Sequence, residues 1–118
     1  MENPIRSTFG EDGTACVTVL GEIDFSNADD VAQGIRDALG QWSPERIQID
    51  LGDATFIDST GLGALIEGYR AASEAQIRFV VVNPSDSFRR VLSVTGLTEL
   101  FGMPDDEQSA GLSQATGA

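Results

Sequence analysis

Between Arg46 and Tyr69 the hydrophobic period of the chain changes, and this change limits what can surround it. Ile47, Ile49 and Leu51 alternate with Arg46, Gln48 and Asp50, the period of a strand with one buried face. Leu62, Leu65, Ile66 and Tyr69 then recur at the spacing of one helical face. A short acidic loop joins the two, Gly52-Asp53-Ala54-Thr55-Phe56-Ile57, and ends in Asp58-Ser59-Thr60-Gly61-Leu62-Gly63. Asp58 and Ser59 are both competent N-caps. The junction therefore presents a carboxylate and two hydroxyls where backbone N–H groups lack partners. A phosphate on either hydroxyl is expected to meet those donors and the positive end of the helix.

The rest of the chain supplies partners for this unit. Ile5 to Phe9 and Thr14 to Leu20 alternate as strands around Gly10-Glu11-Asp12-Gly13, where Asp12-Gly13 is a strong hairpin signal. Gly21 to Phe25 reads as a loop, with Ser26 capping a helix whose stripe is Val31, Ile35, Ala38 and Leu39. Gly34 shares that face, so close packing on a sheet is expected; Gly40 is placed at the helix stop and Trp42 over the end of the core. Ile77 to Val82, the most apolar strand, is expected to be the most buried. Asn83-Pro84 turns the chain into a third helix that starts at Ser85 or Asp86 and ends at Gly96, with Phe88, Val91, Leu92 and Thr95 inward. Leu97 to Phe101 forms a short last strand or a turn of helix. The predicted fold is a single α/β domain, β-β-α-β-α-β-α-β, with a mixed, mostly parallel sheet. The alternation in 46–51 puts the helices mainly on one face. The domain is expected over residues 1–102. Residues 103–118, acidic and then rich in small polar residues, are expected to form a mobile tail.

Charge and residue types exclude several functions. There are 19 acidic residues against 7 basic, a net charge of −12, and every basic residue is arginine. Such a chain should repel nucleic acid and anionic membranes and suit a basic protein surface. No apolar run is long enough for a membrane span and no secretory leader is visible, so a cytoplasmic location without membrane insertion is expected. Without histidine, and with Cys16 as the single cysteine, neither a zinc site nor histidine-based nucleophilic catalysis is expected. The chain has no lysine and no Gly-rich nucleotide loop, so it should not itself transfer a phosphoryl group.

Phe56-Ile57-Asp58-Ser59-Thr60-Gly61-Leu62-Gly63 resembles the signature of the STAS-domain anti-sigma factor antagonist family. Leu20-Gly21-Glu22-Ile23-Asp24 is similar to the family's Gly-Glu-(apolar)-Asp turn, and the resemblance covers residues 5 to about 101. It implies a STAS-like fold and a regulatory protein rather than an enzyme, with no cofactor and no metal. By the resemblance, Ser59 falls on the phosphorylated serine and Asp58 on the aspartate before it, with Thr60 the runner-up acceptor. It further implies partner switching. The unphosphorylated protein binds an anti-sigma factor that is also a serine kinase, which frees a sigma factor. Phosphorylation breaks the complex and a serine phosphatase restores the active form.

Glu22, Asp24, Asp53 and Asp58, with Thr60, Gly61 and Leu62, are the candidate supporting and partner-binding residues. As residues alone, the carboxylates admit acid/base work, a divalent-cation site, an acidic recognition rim, or simple caps and turns. Two other functions therefore stand beside the switch. One is a non-switching STAS subunit of a lipid-transport or stress-signalling complex, in which Ser59 is only a cap or contact. The other is a small carboxylate-based enzyme.

Overall fold

The computed structural model describes residues 3–101. β1 (Ile5–Phe9) and β2 (Thr14–Val19) form the expected antiparallel hairpin, Ile5 opposite Val19 and Phe9 opposite Ala15. Its turn is closed by Gly10 N–H donating to Thr14 O (2.9 Å) and by the Asp12 carboxylate accepting from Thr14 N–H (3.1 Å). Gly13 sits at φ +84°, which an L side chain rarely adopts. Two further strands, β4 (Arg46–Asp50) and β6 (Arg78–Val82), run parallel to β2 and complete a sheet of order β1-β2-β4-β6. The register aligns Val17, Ile49 and Val81 in one row and Ala15, Ile47 and Phe79 in the next, all buried. At about 1.5–3 kcal/mol for each large apolar side chain buried, these two rows are the backbone of the core's stability.

Cys16, Gln48 and Val80 lie between those rows and point the other way, where they are only half-buried. Helices thus cover one face of a mixed, mostly parallel sheet in a single α/β domain, as the alternation predicts. β6 departs from its expectation: Phe79 and Val81 are buried, but Val80 and Val82 share the open face. An apolar run does not bury a strand on both sides when only one side has a second layer.

Two stretches expected as loops form short strands. β3 (Gly21–Ile23) and β5 (Ala54–Ile57) form a separate two-stranded parallel ribbon, with Glu22 beside Phe56 and Ile23 beside Ile57. Gly21, at φ +70°, turns the chain out of β2 and donates its N–H to Asp53 O (3.0 Å). Segments this short carry no periodicity; the pairing exists because the rest of the fold brings them side by side.

The helices follow their stripes with local corrections. α1 (Ala28–Trp42) starts after Asn27 rather than at Ser26, and Ser26 instead donates its hydroxyl and N–H to the Asp24 carboxylate (2.6 and 2.9 Å). It passes Gly40 and ends at Ser43, which takes the left-handed conformation. A Cβ on Gly34 would lie 1.9 Å from Ile5 Cδ1, so helix and sheet do meet closely there. Trp42 closes the end of the core, stacked on Phe9 with ring centroids 5.5 Å apart.

α2 (Ser59–Glu74) buries Gly61, Ala64, Leu65, Gly68 and Ala72, whereas Leu62, Ile66 and Tyr69 are half-buried beside them. The buried line is made of small residues because α2 lies against α1: a Cβ on Gly68 would sit 2.7 Å from Ile35 Cδ1. α3 (Asp86–Thr95) is capped by Ser85, whose hydroxyl accepts from Phe88 N–H (3.1 Å), and ends at Gly96 in the left-handed region. Phe88 and Leu92 are buried, but Val91 and Thr95 are exposed. Leu97–Phe101 takes the helical form of its two expectations, with Phe101 N–H donating to Leu97 O (3.0 Å). Phe101 O then accepts from Val81 N–H (3.0 Å), and its fully buried ring packs against Phe79 and Tyr69. Residues 103–118, expected as a tail, lie outside the described residues.

Candidate functional site

The ribbon places the acidic loops at the start of α2. Ile23 pairs with Ile57, so Asp24 and Asp58 leave the ribbon side by side, and Asp58 N–H donates to Ile23 O (3.1 Å). Asp58 is the N-cap of α2, in extended conformation, with its carbonyl accepting from Leu62 N–H (2.9 Å). Its carboxylate Oδ1 accepts from Thr60 Oγ1 (2.5 Å) and from Gly61 N–H (2.9 Å). The Thr60 hydroxyl first, and the Gly61 N–H second, hold the Asp58 carboxyl below its ordinary value, so it is ionised at neutral pH.

This arrangement separates the two hydroxyls. The Asp58 carboxylate binds the hydroxyl of Thr60 and not that of Ser59. Ser59 is exposed, and among the described residues its hydroxyl makes no side-chain hydrogen bond. A group added there does not find the capping donor free, because Asp58 already uses Gly61 N–H. Gly61 itself is buried where the helix touches the ribbon: a Cβ would lie 2.7 Å from Ile57 Cγ2 and 2.9 Å from Ile23 Cγ2. Leu62, one residue on, is half-buried against the core.

The remaining candidates divide. Asp24 braces its loop through Ser26 and through its own N–H, which donates to Asn27 Oδ1 (2.9 Å). Asn27 Nδ2 in turn donates to Glu22 O (2.9 Å), which leaves the Glu22 side chain exposed next to Phe56. Glu22, Asp24, Asp58, Ser59, Thr60 and Gly61 therefore gather at one end of the domain. Asp53 does not join them. It precedes β5, at the far end of the ribbon, roughly 15 Å from Asp58 along an extended chain. Among the described residues no group of three or more acidic, cysteine or histidine side chains is arranged to hold a metal.

Two aromatic residues beside this end were not singled out in the sequence. Phe25 is 81% exposed and Phe56 57% exposed. Phe25 sits in the loop after Asp24, and Phe56 sits two residues before Asp58. A phenylalanine in a polar loop is a weak signal by itself; its exposure is decided by the ribbon. Phe25 also borders a groove between α1 and α2, floored by Ala28, Ala32, Gly63 and Ala64, with Thr60 at its end. Arg36 of α1 and Glu67 of α2 form an ion pair at the same groove (3.5 Å). No described helix is long and apolar enough to cross a membrane.

Comparison with known proteins gives a consistent result. The sequence profile described as the STAS domain matches residues 7–110. The chain is 26% identical to the anti-sigma F factor antagonist of Paenibacillus polymyxa over 98 residues, 83% of this chain and 84% of that protein. It is 29% identical to the anti-sigma-B factor antagonist of Listeria monocytogenes over 94 residues, 77% of this chain and 79% of that protein. Among solved structures, an anti-sigma factor antagonist from Mycobacterium paratuberculosis superposes with a TM-score of 0.72 at 30% identity. The match covers 91% of this chain and 92% of that one.

Proposed function

The chain belongs to the STAS-domain family, and we propose that it works there as an anti-sigma factor antagonist switched off by phosphorylation at Ser59. It is homologous to the anti-sigma factor antagonists, regulatory and non-catalytic, with an anti-sigma factor as its partner in a partner-switching module. In this reading the partner is also the serine kinase, and a serine phosphatase resets the protein. One observation carries the choice of residue. Ser59 offers an exposed hydroxyl without an intramolecular hydrogen bond among the described residues, while the neighbouring Thr60 hydroxyl is held by Asp58.

The same geometry supports a mechanism for release. Phosphorylation adds about −1.5 to −2 charges and three acceptor oxygens. Asp58, ionised and one residue away, repels that charge and keeps the capping position for itself. The phosphate is thus turned outward, into the surface that a partner must cover. There it brings bulk and a desolvation cost, without requiring the core to rearrange. A loss of about 2.8 kcal/mol is enough to weaken the complex about 100-fold.

The test is phosphorylation by purified serine-kinase anti-sigma factors of the source organism in the presence of ATP. One phosphate should be added and located at Ser59 by peptide fragmentation. Ser59→Ala should stay unmodified and keep its partner, Ser59→Asp should bind more weakly, and Thr60→Ala should remain a substrate. An unmodified wild-type chain, together with undiminished binding by Ser59→Asp, refutes the switch and leaves a constitutive assembly subunit.

A further inference from the structure

α2 carries three glycines, and two of them have a reason inside the domain: side chains at Gly61 and Gly68 would collide with the ribbon and with α1. Gly63 has none, for a Cβ there would meet nothing within 4 Å. Glycine is a poor helix former, so a partly exposed glycine with open space around it weakens the helix without serving the core. Its place suggests what it does serve. Gly63 lies on the floor of the groove between α1 and α2, about 350 Å³ in volume, and the flanking floor residues are alanines. Without a Cβ, the α2 backbone itself is within reach of an incoming group. The groove ends at Thr60, beside Ser59, and its rim carries the most exposed large apolar side chain among the described residues, Phe25.

We propose that this groove seats a projecting apolar side chain of the anti-sigma factor, flanked by a basic residue, while Phe25 inserts into the partner. The inference rests on the partner-switching reading above. Three observations select this occupant. The groove reaches Thr60, the residue after Ser59, so a phosphate on Ser59 stands near its end. Arg36 pairs with Glu67, and Asp29, the groove's other acidic residue, has no ion-pair partner among the described residues; this suits a basic neighbour. An exposed phenylalanine beside a cleft of small residues is the kind of anchor that dominates protein contacts once buried.

The test uses the full chain and the purified anti-sigma factor that binds wild type, with affinity measured by titration calorimetry. Gly63→Leu adds bulk at the groove floor, where a Cβ meets nothing within 4 Å. It should weaken binding by about tenfold or more without lowering the melting temperature, and Phe25→Ala should do the same. Val94→Ser, on the exposed side of α3, should stay within about twofold of wild type. The proposal is overturned if Gly63→Leu and Phe25→Ala both bind within about twofold of wild type, or if Val94→Ser alone abolishes binding. Should Gly63→Leu prove unstable, Phe25→Ala decides by itself. If no anti-sigma factor binds the wild-type chain, the switching reading fails and takes this one with it, an outcome distinct from intact binding by the variants.

Discussion

Gly61→Ala and Gly63→Ala make the same chemical change two residues apart on α2, yet opposite effects on stability are expected. At Gly61 the new methyl would lie 2.7 Å from Ile57 Cγ2 and 2.9 Å from Ile23 Cγ2. Carbon atoms pack best at about 3.5–4.0 Å, so each contact is short by roughly 1 Å. Moving either Cγ2 requires turning the whole β-branched side chain about χ1, which is stiff in these paired strands. The helix start must therefore lift from the ribbon, an overpacking cost of about 1–3 kcal/mol. The better helix propensity of alanine offsets less than about 1 kcal/mol of this. Net destabilisation of about 0.5–2 kcal/mol follows, or roughly 2–8 °C at about 4 °C per kcal/mol for a chain of this size. At Gly63 the methyl meets nothing within 4 Å, so only the propensity gain remains, up to about 1 kcal/mol of stabilisation. Urea unfolding followed by circular dichroism compares the two midpoints directly, and an unchanged slope shows that the unfolded state is not the cause. Equal shifts of the same sign would refute the packing argument, because the two sites would then differ only in position along the helix.

Other consequences can be measured separately. Thr60→Val removes the donor that most lowers the Asp58 pKa, so the Asp58 titration, followed by carbon-13 NMR, should move upward. Because the folded-state pKa of Asp58 lies below its unfolded value, the stability it contributes is present above the ordinary carboxylate value. That contribution is lost as pH falls through the lowered one; Thr60→Val should shrink this acid-side loss. Ser59→Ala should change stability by no more than about 0.5 kcal/mol, since Asp58 is the cap; a thermal melt showing a larger loss would give Ser59 a capping role. Phe101→Ala should cost about 3–5 kcal/mol in urea unfolding, because the ring is fully buried against Phe79 and Tyr69.

What could be read from the chain alone is whatever depends on local periodicity. The alternation of Ile47 and Ile49 with Gln48 and Asp50 already implied a sheet with one open face, and the helical stripes located all three helices. Asp12-Gly13 announced the hairpin and Gly96 the end of α3, since a left-handed residue is a local demand of the backbone. The Asp58-Ser59-Thr60 junction was legible for the same reason: a carboxylate before an amphipathic helix is a cap wherever that helix packs. Tertiary structure alone decided the rest. The β3–β5 ribbon joins segments more than 30 residues apart and has no period of its own, so only the folded sheet and helices could pair Ile23 with Ile57. That pairing draws Asp24 to Asp58, exposes Phe25 and Phe56, and leaves Asp53 at the other end. The separate fates of Ser59 and Thr60 also lay beyond sequence reasoning, because a hydroxyl's partner depends on side-chain geometry at the first turn, where adjacent residues differ by about 100° in direction.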